Sequence, residues 1–237
     1  VTTYVYVDGL NFYFGAVKKT PNKWVDFEAV ARKLVPKDKI GLIRYFTANV
    51  KPQYPGDKSH ERQQALLRAM KANPLIDVKL GHFRVDEKWR PLSDTSWPSP
   101  KDLFRPVLRP TIVVKVILAE ARKRRTIPVT MARILDPEEK GSDVNLATYL
   151  LYDAMKGLST KALVISNDSD LEEAVRLTVE HGVPVGIVNP HPSPTSGRLK
   201  SVATFEIPFR KAMVASCQMP TLVIGRNGKQ VHKPREW

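Results

Sequence analysis

The sequence predicts an α/β protein: a mostly parallel sheet with helices on both faces. Three observations carry this. Short apolar runs recur along the chain, segments of helical periodicity separate them, and the spacing between runs leaves room for crossover helices. At 237 residues with 42% apolar content, the chain is long enough to bury a core of this kind.

The elements follow in order. Tyr4 to Val7 (YVYV) is an apolar strand ending at Asp8. Phe27, Val30, Ala31 and Leu34 fall at helical spacing. Ile40 to Thr47 is a second strand, and His60 to Ala72 a helix stopped by Asn73-Pro74. Ile76 to Leu80 is a third strand. Val144 to Met155 is helical, with Val144, Ala147, Leu151 and Ala154 on one face. Ala162 to Ile165 is a strand, Ser169 to Glu180 a helix closed by His181-Gly182, and Val183 to Val188 the next strand. Right-handed crossovers then bring the C-terminal ends of the strands to one edge, where ligands bind in such sheets.

One stretch breaks the rhythm. Between Phe83 and Arg133 stand Trp89, Trp97 and six prolines. Residues 101–135 hold nine basic residues against Asp102 and Glu120, a net of +7 out of the formal +14 of the whole chain. This reads as a basic insertion over about 84–133, a hairpin plus a helix projecting from the sheet, with the helix over Val113 to Arg124 carrying the run Arg122, Lys123, Arg124 and Arg125. The domain proper is 1–207, and 208–237 is a strap packing on it. An insertion of this type often packs on another copy of the chain, which makes a homo-oligomer an expected partner alongside a polyanion.

Composition excludes several classes. A single cysteine, Cys217, allows no disulfide framework and no cysteine-based zinc site. No run approaches eighteen apolar residues, so no membrane partner is expected. The N-terminus lacks a basic leader and reads as a strand, which points to a soluble, cytoplasmic protein. The net charge favours nucleic acid among polyanions.

The chemistry lies in the acids. Asp8-Gly9-Leu10-Asn11 follows the first strand, Lys140-Gly141-Ser142-Asp143 opens a helix, and Ser166-Asn167-Asp168-Ser169-Asp170 follows another strand. In a parallel sheet Asp8 and Asp168 end strands on the same edge, and Asp143 at a helix start can face it. Each acid also has a plainer role: a turn at Asp8-Gly9, a first-turn acid at Asp143, a capping box from Ser169 to Glu172. Carboxylates gathered in one cleft repel one another unless some protonate or a cation sits among them. Hard oxygen ligands suit Mg²⁺ or Mn²⁺, and such a centre can activate water against a phosphodiester. No Ser-His-Asp order, Cys nucleophile or Gly-rich nucleotide fingerprint competes.

The motifs YVYVDGLNFY at 4–13, KGSDVNLATYLLYDA at 140–154 and LVISNDSDLEEAVRL at 163–177 resemble those of NYN-domain proteins, a branch of the PIN-like nuclease superfamily. The resemblance implies a Rossmann-like fold and a metal-dependent endoribonuclease. Asp8, Asp143, Asp168 and Asp170 would be the metal-site acids, Asn11 would orient the first motif, and Ser166 would hydrogen-bond within the site. Lys140 would help stabilise the departing oxygen. Many NYN sequences carry another acid six residues after the KGxD aspartate, where this chain has Tyr149. Asp153, one turn on, either replaces it or faces solvent. RNA, single-stranded or structured, is the implied substrate, held by Arg122–Arg125. The alternative is a non-catalytic RNA-binding module that keeps the fold. A haloacid-dehalogenase-like phosphatase fits less well, because Gly9-Leu10 follows Asp8 where that chemistry wants Asp-x-Asp.

Overall fold

A computed structural model describes residues 1–52, 54–91, 112–118 and 125–237. They form two compact units, Val1–His82 with Lys140–Trp237, and Phe83–Glu139.

In the first unit, β1 (Thr2–Asp8) leads into a single-turn helix, α1 (Gly9–Phe12), and then a π-helical turn at Tyr13–Val17. There follow α2 (Phe27–Leu34), β2 (Lys39–Ala48), α3 (Ser59–Met70) and β3, which starts at Ile76 and runs to Pro91, well past the Leu80 that the sequence predicts. In the second unit lies β4 (Ile112–Leu118), and β5 (Arg125–Lys140) returns the chain to the first. Then come α4 (Ser142–Met155), β6 (Lys161–Ile165), a 3₁₀ turn at Ser169–Leu171 and α5 (Glu172–Glu180). The sequence runs those last two together as one helix. The chain ends with β7 (Val185–Val188), α6 (Gly197–Val202), β8 (Phe205–Glu206), α7 (Lys211–Ala215) and a hairpin of β9 (Leu222–Ile224) and β10 (Gln230–His232).

Within the first unit the strands run in the order β3-β2-β1-β6-β7-β8, every neighbouring pair parallel. Counted within the unit, this is the 3-2-1-4-5-6 order of a doubly wound Rossmann-like sheet. β1 is central, with Val5 opposite Ile43 on one side and Leu163 on the other.

Period-two alternation along β1 supplies both cores. Val5 and Val7 pack with Phe12, Phe27, Val30, Leu67 and Ile165 on the face covered by α1, α2 and α3. Tyr6 packs with Phe46, Leu146, Leu150, Val164 and Val175 on the face covered by α4 and α5. Burying each large apolar side chain contributes about 1.5–3 kcal/mol, so the central strand is anchored from both sides. α2 is started by Asp26, whose Oδ1 accepts from the backbone N–H of Glu28 (2.9 Å) and Ala29 (3.1 Å).

In the second unit, β4 and β5 pair antiparallel from Ile112 opposite Met131 to Leu118 opposite Arg125. This corrects the helix expected over Val113 to Arg124. Five of the seven residues Ile112–Leu118 are β-branched, which favours a pleated strand over a helix. Residues 119–124 lie outside the described residues, and Arg122, Lys123 and Arg124 with them. Arg125 opens β5.

The segment after Pro208 packs around Trp24, which is fully buried. The indole Nε1 donates to the Pro220 carbonyl at 2.8 Å, and its ring lies 6.3 Å from that of Trp237. Among the described residues, no helix is long and apolar enough to cross a membrane.

Candidate functional site: an acidic edge at the sheet's switch point

The strand order turns back on itself between β1 and β6, and both strands end there in acids. Asp8 is the last residue of β1 and caps α1: its Oδ1 accepts from the Asn11 backbone N–H at 2.9 Å. Its other oxygen accepts from the Ser166 hydroxyl at 2.9 Å, just after β6. The Ser166 oxygen in turn accepts from the Asp168 backbone at 3.1 Å, and Asp168 caps the 3₁₀ turn by accepting from the Asp170 N–H at 3.0 Å. The Asn11 side-chain oxygen accepts from the Asn167 N–H at 3.0 Å, joining the two loops a second time. Asn167 then reaches the loop after β7, its amide oxygen accepting from the Ser196 N–H at 2.7 Å. Three strand-end loops are thus tied together by side chains whose own geometry is fixed.

Asp143 enters from the first turn of α4. Gly141 precedes that helix at φ 93°, a left-handed conformation that favours glycine. One carboxylate oxygen from each of Asp8, Asp143 and Asp168 lies within 4.8 Å of the other two. The sequence therefore names three of the acids that converge. Asp170 is exposed and outside this trio, its backbone serving the cap. Lys140 is exposed at the end of β5. Ser166 is fully buried and bonded within the site.

Asp153 belongs elsewhere. Ten residues beyond Asp143 on one helix puts it about 15 Å further along the axis. Its side chain is fully buried and accepts from Arg44 at 2.7 Å (Nε) and 2.8 Å (Nη2), and from the Tyr6 hydroxyl at 2.9 Å. Of the two alternatives left open for Asp153, replacing the missing acid or facing solvent, the structure takes neither. Tyr149, six residues after Asp143, lies under the Arg44 guanidinium, 4.4 Å from the ring centroid. Burial, with Asp153 adding to it, pushes the Tyr6 phenol well above its ordinary pKa.

Gly9 follows from close approach. A Cβ there would sit 2.6 Å from the Phe46 carbonyl oxygen and 2.7 Å from the Tyr45 hydroxyl. Tyr45 is buried beside Asp8, and burial first, then that carboxylate, raise its pKa. Gly9→Ala is expected to cost about 1–3 kcal/mol, because a backbone oxygen must move. Thermal melting checks this, and an unchanged midpoint would show that β2 yields freely.

One neighbour gives no sequence signal. His191, in the loop after β7, lies against Gly15, where a Cβ would sit 2.9 Å from its Cδ2. Burial first, then the Lys211 charge, hold its pKa below the usual value. Its sequence surroundings, Asn189-Pro190-His191-Pro192, mark only a loop; a loop after a parallel strand at the binding edge is the signal that was there to use.

No known family profile matches the sequence. The chain is 27% identical to 6-hydroxy-3-succinoylpyridine 3-monooxygenase of Pseudomonas putida, over 99% of this chain and 75% of that protein. Among solved structures, a protein of unknown function from Vibrio parahaemolyticus superposes with a TM-score of 0.48 at 14% identity, covering 88% of this chain and 93% of its own. The first likeness corrects two expectations. A metal-dependent ribonuclease is a hydrolase, whereas the chain-long relative is a monooxygenase, and the Mg²⁺ or Mn²⁺ cofactor falls with the hydrolase. The physical reason is that a carboxylate trio at a switch point is a site without a reaction: its oxygens suit a hard cation or an acidic O–H equally well, and one fold hosts many chemistries.

Proposed function

We propose that the protein is an oxidoreductase of the monooxygenase type, acting on a hydroxylated nitrogen-heteroaromatic acid at the acidic edge. The observation that carries this is the chain-long likeness to an enzyme whose named substrate is a hydroxypyridine bearing a succinoyl group. The geometry supports it. A hydroxypyridine offers an O–H, or an N–H as its pyridone, and three clustered carboxylates gain from accepting such a donor. Taking up that proton leaves the ring richer in electrons at the carbons ortho and para to the oxygen, and position 3, at which the relative is named to oxygenate, is para to the 6-hydroxyl. Asp168, half-buried within 4.8 Å of Asp8 and Asp143, would accept the proton.

Inserting one atom of O₂ needs an electron source and an O₂-activating group such as a reduced flavin. The turn after β1 does not fit the diphosphate of a dinucleotide. Asp8 caps α1 where such sites present glycines and bare N–H groups, and α1 is four residues long. A diffusible reduced flavin, rather than one held at this turn, is the form consistent with this edge. The PIN-like assignment belongs to the same proposal, supported by the strand order and by the motifs at its switch point, and the basic insertion is supported by the net +7 of residues 101–135.

The test is oxygen uptake with 6-hydroxypyridine-3-carboxylate, NADH and added FAD, followed by mass spectrometry of product formed under ¹⁸O₂. One labelled oxygen in the product is expected. No uptake above the flavin blank with any hydroxypyridine acid would overturn the reading.

A second reading is favoured by the +14 charge: an RNA-binding module without turnover. It predicts affinity for single-stranded RNA that falls steeply with salt and is untouched by Asp168→Asn.

A further inference from the structure

The C-terminal hairpin carries an open strand edge. Its register pairs Leu222 with His232 and Ile224 with Gln230. The Lys233 N–H donates to the Thr221 carbonyl at 2.8 Å, and the Gly225 N–H to the Lys229 carbonyl at 2.9 Å. Thr221 and Gly225 are therefore hydrogen-bonded positions of the antiparallel ladder, and Val223 between them is another. Leu222 and Ile224 fall at the alternate positions, so their N–H and C=O groups point away from β10. Among the described residues these groups have no partner. Val223 and Val231 seat the hairpin on the protein by packing with Trp24 and Ala69. Leu222 and Ile224 alternate with Val223, and their side chains are 40% and 55% exposed. Beside β9 lies a cavity of about 270 Å³, walled by Met70, Ile76, Met219 and the three residues of the strand. Among the described residues none of β10 lines it, so the cavity lies on the side of the open edge. Small-molecule sites run larger, at about 300–1,000 Å³; this one suits a side chain. Asp26 also lines it, with one oxygen engaged in capping α2.

Both ends of this edge are positive. Arg226 follows β9 with Lys229 opposite Gly225, and Lys233 lies opposite Thr221 at the other end. Arg226 Nη2 donates to the Asn73 carbonyl at 3.2 Å, a neutral acceptor. Among the described residues none of these three cations has a carboxylate partner. Protected edges often carry a charge within the strand itself, whereas β9 is Leu222-Val223-Ile224. We propose that β9 is a docking edge for an extended segment of a partner protein, a short apolar run with acidic residues at both ends. The segment adds to the hairpin as a third strand and places an apolar side chain in the cavity. Main-chain bonds to Leu222 and Ile224 supply affinity; the cavity and the terminal charges supply selectivity. A second copy of the chain fits less well. Antiparallel pairing of β9 with β9 would set Arg226 of each copy beside the Lys233 end of the other, like charge against like.

The test uses the full chain and a fluorescein-labelled peptide, Glu-Glu-Val-Leu-Val-Glu-Glu, followed by fluorescence polarisation. Its counterpart with Lys in place of every Glu is the control. The acidic peptide is expected to bind, and the basic one at least about tenfold more weakly. Ile224→Pro removes one outward N–H and keeps every bond to β10, because proline is tolerated at such an edge position. It is expected to weaken the acidic peptide about tenfold, the loss of one main-chain bond and its neighbours, at an unchanged melting midpoint. Ile224→Val keeps the N–H and should bind as the parent does. The same acidic peptide, methylated on the three apolar backbone nitrogens, should lose binding, which tests the ladder without altering the protein. Equal binding of the acidic and basic peptides, full binding of the methylated peptide, or no binding of the acidic peptide would each overturn the proposal. A parent that binds neither peptide yet sediments as a dimer, which Ile224→Pro separates, would overturn it in favour of a second copy.

Discussion

Asp153→Ala is expected to lower the melting midpoint by about 6–12 °C. The variant strips the bidentate carboxylate from Arg44, whose side chain is only 10% exposed, and takes the acceptor from the buried Tyr6 hydroxyl. Removing one partner of a buried pair costs about 3–5 kcal/mol. Arg44 keeps Asp77 as a second carboxylate, which places the loss near about 3 kcal/mol by the same comparison. For a chain of this size each kcal/mol moves the midpoint by about 2–4 °C. Asp153→Asn, which retains an oxygen for Tyr6, should fall between the parent and alanine. A midpoint within about 2 °C of the parent in Asp153→Ala would mean that water or Asp77 replaces the lost partner in full. The pair is a structural strut between β2 and α4. Its loss should therefore reduce activity only in proportion to the folded fraction.

The opposite combination is expected of Asp168→Asn. Charges within 4.8 Å at an effective dielectric of about 20 repel by roughly 3 kcal/mol per pair, and exposure at Asp168 reduces the recoverable part to about 1 kcal/mol. Asparagine still caps the 3₁₀ turn through its amide oxygen. The variant should thus melt about 2–4 °C higher while losing product formation by about two orders of magnitude, the ordinary scale for a proton acceptor. Such a gain in stability with loss of turnover separates a functional cluster from a structural one. A drop in midpoint would instead show that the three acids are held by attraction to something between them.

The parts of the architecture that were legible in the sequence are those with local causes. Tyr4–Val7, Ile40–Thr47 and Ala162–Ile165 are apolar runs bounded by turn residues, and all three are strands of the parallel sheet. Asp8, Asp143 and Asp168 could be placed because strand ends and helix starts in such a sheet share one edge. What escaped has distant causes. Asp153 is buried by Arg44, 109 residues earlier, and nothing near it in sequence reveals that partner. His191 reaches the turn after α1 because Gly15 makes room for it, again from the far end of the chain. Ile112–Leu118 is a strand where the sequence predicts the helix that carries Arg122–Arg125, because five of its seven residues are β-branched. The reaction class is illegible for another reason: the acid pattern describes oxygen donors and not what they act upon.

The pairing of β1 with β6 has a consequence for how the protein acquires its working edge. Thr3 lies opposite Lys161, and Asp8 bonds to Ser166, across a separation of 158 residues in each case. The β1-β2-β3 half can assemble with α1, α2 and α3 as soon as those segments exist, since each contact spans a few tens of residues. The acids cannot meet until the chain has been made past Ser169. Because closure entropy grows only as the logarithm of loop length, the 57 residues of Phe83–Glu139 add little to that barrier. They delay the event in synthesis time far more than they penalise it in free energy. During translation the N-terminal half therefore waits with the open side of β1 uncovered, a bare strand edge ending in a carboxylate that has yet to meet Ser166. The charge of Asp8 at the tip of that edge is then a guard against premature pairing before it is a participant in chemistry.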